Sequence, residues 1–83
     1  MSNEKDKFIV EYLNKKLTGE QIKNFIEFLT VGEEGLAYEI LCEQIYEKDI
    51  KISKRILEIL KHKCISYGVD LDYLKDIEHL IID

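Results

Sequence analysis

The chain contains no proline, so no helical stretch in it is forcibly broken. Cysteine is scarce. Cys42 and Cys64 do not make a disulfide framework, and both fall at helical positions on the apolar side, where they are expected as small buried hydrophobes. Histidine is limited to His62 and His79, and the four glycines nowhere cluster into a phosphate-binding loop. No apolar run approaches the length that spans a bilayer, and the opening MSNEKDKF has no apolar segment of the kind a signal peptide needs. The expectation is a cytoplasmic protein with no membrane partner. Positive charge is the minority sign: 17 acids against 12 lysines and arginines leave a formal charge of −5. Affinity for phosphates comes from clustered positive charge, so this balance argues against direct nucleic-acid binding and suits a basic protein partner.

The 83 residues bound a single domain, 46% hydrophobic and 35% charged, with enough apolar content for one core. Helical spacing dominates. After a frayed polar start, Phe8, Ile9, Tyr12, Leu13 and Leu17 define a first amphipathic helix over about 5–17. Thr18 and Gln21 form a capping box for a second helix, 19–31, which Gly32 stops in the left-handed conformation. A third helix covers 34–48. Asp49 to Ile52 alternates in polarity, but with no second strand signal to pair with it this connector reads as an extended loop. Ser53 caps a fourth helix, 54–67, which Gly68 ends, and Asp70 and Asp72 are candidate caps for a last helix, 73–81. The predicted fold is all-α, a small single-domain bundle of five helices.

The third helix is the organising element. Leu36, Ala37, Tyr38, Ile40, Leu41, Cys42, Ile45 and Tyr46 cover most of its circumference, so neighbours must pack it on several sides. Glu39, Glu43 and Glu47, at i, i+4 and i+8, form one narrow acidic ridge, edged by Tyr46 and extended by Asp49. Like charges at this spacing repel by about a few tenths of a kcal/mol per pair. An exposed charge run ordinarily only keeps a protein soluble. Aligned carboxylates beside a tyrosine also make a surface for a cationic partner, with aromatic contact area and charges that steer association.

Other chemistry is hard to assemble. His62 stands among Lys54, Arg55 and Lys61 on what reads, with Lys63, as a solvated basic face, and His79 suits a helix C-terminus. His62 and Cys64 lie two apart, the wrong spacing for chelation on a helix. Asp70, Asp72 and Asp76 lack the glycine and glutamate that complete a calcium loop. The three glutamates of the ridge lack the Glu-x-x-His element of a di-iron bundle. A helix-turn-helix reading of the second and third helices would put an acidic recognition helix against phosphate. No catalytic residue, metal or cofactor is expected, and the chain reads as a binding protein rather than an enzyme.

The central stretch Gly32-Glu33-Glu34-Gly35-Leu36-Ala37, with Glu39, Leu41 to Glu47, Asp49-Ile50 and Ile52-Ser53, resembles the MafI family of bacterial immunity proteins and similar small immunity proteins of contact-dependent growth inhibition. The segment Leu71 to Ile81 resembles their usual ending, and residues 32–81 carry the likeness. Lys51 departs from the pattern, standing where proline is expected, which leaves the connector less rigid. The resemblance implies a protein that binds and neutralises the toxic C-terminal domain of a cognate secreted toxin, a basic RNase or DNase; a monomer is the expectation, with the oligomeric state left open by the sequence. Glu39, Glu43, Glu47 and Asp49 would then face its cations, with Tyr46 packed between. The alternative is a small acidic helical adaptor or regulator associated with nucleic acid.

Overall fold

The computed structural model of the chain describes residues 4–82, where helical periodicity produces five α-helices. They are α1 (Glu4–Leu13), α2 (Gly19–Thr30), α3 (Glu34–Glu47), α4 (Lys54–Tyr67) and a short α5 (Asp72–Lys75), followed by a 3-10 turn, Glu78–Leu80. The fold is an all-α bundle. The frayed start expected ahead of the first helix falls on Met1 to Asn3, outside the described residues.

Local chemistry sets most of the boundaries. The Thr18 hydroxyl accepts from the Gln21 N–H at 3.1 Å, and Gln21 Oε1 accepts from the Thr18 N–H at 2.9 Å, the reciprocal capping box that opens α2. Ser53 Oγ accepts from the Ile56 N–H at 3.2 Å and opens α4. Gly32 and Gly68 take φ of +82° and +71°, so α2 and α4 stop where a residue without Cβ meets no penalty. The Asp70 side chain accepts from the Asp72 N–H at 2.9 Å in the turn ahead of α5, but the cap position is Leu71, without a side-chain cap bond, and Asp72 is the first helical residue rather than a cap.

α3 is central, packing against α2, α4 and α5. It buries Ala37, Tyr38, Leu41, Cys42 and Ile45. α1 contributes Ile9 and Leu13 to the core, α2 Ile22 and Phe25, and α4 Ile56, Ile59, Leu60 and Cys64. Leu36 and Tyr67, expected among the apolar contacts, keep part of their surface in solvent.

Three expectations give way to tertiary pairing. The first helix stops at Leu13 rather than Leu17. The Lys16 and Leu17 N–H groups both bond to the Leu13 carbonyl, a tight turn that frees Thr18 to adopt the extended geometry of a cap. The last helix does not run over 73–81. Leu74, Ile77 and Leu80 are all buried at intervals of three residues, and i→i+3 bonds from Ile77 to Leu74 and from Leu80 to Ile77 place them on one side. Ile81 then leaves the helix, because the connector has a partner after all. Ile52 donates its N–H to the Leu80 carbonyl and accepts from the Ile82 N–H, both at 3.1 Å, an isolated parallel bridge between Ile52 and Ile81.

Candidate interaction surface

The acidic ridge lies along the outer side of α3. Glu43, Glu47 and Asp49 are exposed, and Tyr46 presents 52% of its surface to solvent. Glu39 differs. It is half-buried, and its Oε1 accepts from the Tyr73 hydroxyl at 2.9 Å, tying α3 to α5. The site residues therefore separate into four that face outward and one already engaged inside the fold.

The Tyr73 phenol is pushed up to about 12 by the hydrogen bond to Glu39, with burial and the charges of Glu39 and Glu43 adding to it. Its folded value lies above the ordinary value of 10.0, so whatever stability the bond supplies is present below pH 10 and is lost as pH rises through about 12. Ultraviolet titration should show one phenol ionising near pH 12, and Tyr73→Phe should delete that step.

Asp49 occupies an unusual place. The Asp49 N–H bonds to the Tyr46 carbonyl at 3.2 Å and the Ile50 N–H to the Ile45 carbonyl at 3.0 Å, the paired bonds of a Schellman motif closing α3. Asp49 is the left-handed residue of that motif, at φ +50°, where α2 and α4 use glycine. Aspartate tolerates this region better than most residues but remains strained there. Asp49→Gly should raise stability by roughly 0.5–1 kcal/mol, read as a higher midpoint in urea, while removing one carboxylate of the surface.

A second cluster went unrecognised in the sequence. Asp6 and Lys63 are buried at 6% and 4% exposure and pair across α1 and α4, Lys63 Nζ to Asp6 Oδ1 at 3.2 Å. The Tyr38 hydroxyl of α3 donates to the same oxygen. Burial, then the bond to Asp6, pushes the Tyr38 phenol far up, so it stays a donor. Around this pair Tyr38 stacks on Tyr67 at 6.1 Å between ring centroids and meets the Phe25 edge at 5.2 Å, and Lys63 Nζ lies 5.8 Å from the Tyr67 ring. Lys63 is thus no part of a solvated basic face. The signal was available: Lys63 continues the stripe of Ile56, Ile59 and Leu60, and Asp6 that of Ile9 and Leu13. Opposite charges embedded in two apolar stripes point to each other.

Cys42 and Cys64 are buried as expected, and they meet between α3 and α4. The interaction between the two sulfurs, with burial, holds the Cys42 thiol up, and it draws the Cys64 thiol down against its own burial. His62 and His79 are exposed, His62 in a shallow groove with Lys5, Lys54, Arg55 and Glu58. Arg55 lies 4.9 Å over the Phe8 ring at the same side. No helix among the described residues is long and apolar enough to cross a membrane. Comparison of the chain with protein-family models, curated proteins and solved structures gave no match.

Proposed function

We propose that the chain is an immunity protein: a cytoplasmic binding protein, not an enzyme, that neutralises the toxic C-terminal domain of a cognate secreted toxin by covering a basic surface. Its likeness to the MafI-type immunity proteins supplies the class of partner. The supporting observation is the outer side of α3, where Glu43, Glu47 and the half-exposed Tyr46 lie together and Asp49 holds a carboxylate at a left-handed residue that glycine would fill with less strain. Aligned like charges and a strained carboxylate lower stability, so the fold does not account for them. A cationic partner does: it relieves the repulsion along the ridge, and the long-range field speeds its approach. A nuclease offers such a partner in its phosphate-binding cleft.

The test is co-purification with the toxic domain encoded beside this gene, followed by titration calorimetry. A one-to-one complex of nanomolar affinity or tighter, weakening with added salt, is the expected result. Absence of a complex at micromolar concentrations of both proteins would sink the reading.

A further inference from the structure

α2 and α3 do not close completely over one another. Between them lies a crevice of about 240 Å³, with Phe25, Phe28 and Leu41 in its floor and Asn24, Ile40 and Gln44 along its rims. The floor is apolar, and on α3 the Ile40 and Gln44 rim lies next to the ridge. Glu43 follows Ile40 by three residues and Glu47 follows Gln44 by three, so each carboxylate is the surface neighbour of a rim residue. The α2 rim repeats the pattern, Glu20 preceding Asn24 by four and Glu27 following it by three. All four of these glutamates are exposed. One end of the crevice is fixed by Lys48, whose Nζ bonds to Gln21 Oε1 at 2.8 Å, the oxygen that also completes the α2 capping box.

We propose that this crevice is the seat of a cationic amphipathic segment of the partner. Such a segment lays one bulky aliphatic or aromatic side chain on Phe25, Phe28 and Leu41 and sets lysines or arginines against the glutamates of both rims. The proposal rests on the immunity reading for the identity of the partner and adds the recognition mode: an apolar anchor between two acidic rims, not a flat electrostatic contact with α3 alone. Charge complementarity chooses the occupant, since an acidic or neutral segment entering between carboxylates on both sides meets repulsion or no attraction. The floor supplies what a charge ridge lacks, a desolvated pocket in which an anchoring side chain gathers binding energy. A helix lying in a groove is the familiar form of such a contact.

The measurement separates this inference from the reading beneath it. Calorimetry with the neighbouring toxin domain compares the full chain with Asn24→Trp, which fills the crevice from its rim, with Glu43→Lys/Glu47→Lys, and with Ile65→Ser on exposed α4 surface as a control, each checked for a native circular dichroism spectrum and a cooperative melt. Asn24→Trp and the double reversal are expected to weaken the complex at least about 30-fold, the scale of an interface hot spot, with Ile65→Ser unchanged. Full affinity in Asn24→Trp together with loss in the double reversal would overturn the crevice and leave the immunity reading standing. If the unaltered chain forms no complex, the immunity reading falls, and a lysine-rich amphipathic peptide with a single phenylalanine, titrated into the isotopically labelled protein, decides the crevice by itself. Shifts centred on Asn24, Phe28, Ile40 and Gln44 support it, and scattered or absent shifts overturn it.

Discussion

Asp6→Ala is expected to cost about 3–5 kcal/mol, because it leaves Lys63 charged, buried and without its partner. For a chain of 83 residues the whole stability is on the order of 4–12 kcal/mol, so this one substitution removes about a quarter of it or more. The effect is large for a geometric reason. Asp6 Oδ1 receives both Lys63 Nζ and the Tyr38 hydroxyl, so losing the carboxylate orphans two donors from two other helices. Tyr38→Phe removes only one donor and should cost about 1 kcal/mol.

The pair itself is not the source of that stability. Taking two ions out of water costs nearly what their attraction returns, so replacing both by apolar groups of similar volume is often neutral or stabilising. Asp6→Leu/Lys63→Met should therefore recover most of what Asp6→Ala loses. Urea unfolding of the single and double variants forms the required cycle. A loss below about 1 kcal/mol in Asp6→Ala would mean that Lys63 reaches water in solution and that α1 and α4 are not joined there.

The second large effect concerns the C-terminal segment. Leu80→Ala should cost about 2–5 kcal/mol, as for a large aliphatic side chain deleted from a packed interior. For a domain of this size that lowers the melting temperature by on the order of 10–30 °C. Ile82, two residues away and 62% exposed, should tolerate alanine within about 0.5 kcal/mol. The contrast follows from the 3-10 turn, which sets Leu80 beside Leu74 and Ile77 in the core, while Ile82 lies beyond it at the surface. Equal effects at the two positions would show that the 3-10 turn and the bridge do not persist in solution.

Much of the architecture was legible because its causes are local. Thr18 with Gln21, Ser53, Gly32 and Gly68 act through hydrogen bonds and φ preferences within a few residues, so they place helix ends from sequence alone. The stop at Asp49 was not legible as a left-handed residue, since aspartate there satisfies the same bonds without the glycine that advertises them. The outward direction of Glu43, Tyr46 and Glu47 followed from spacing. The engagement of Glu39 did not, because Tyr73 arrives from 34 residues away.

By itself the sequence determined an all-α bundle built around a helix at 34–48, with two buried cysteines and an acidic outer side on that helix. Only the tertiary structure decided where α1 and the last helix end, that Ile52 finds Ile81, that Asp6 and Lys63 neutralise each other inside, and that an apolar crevice opens between α2 and α3. The physical reason is range. Periodicity and capping act over one or two turns, whereas burial of a charge, a backbone bridge or a gap between helices depends on which distant surface arrives, and a one-dimensional pattern carries that only as two stripes that fit each other.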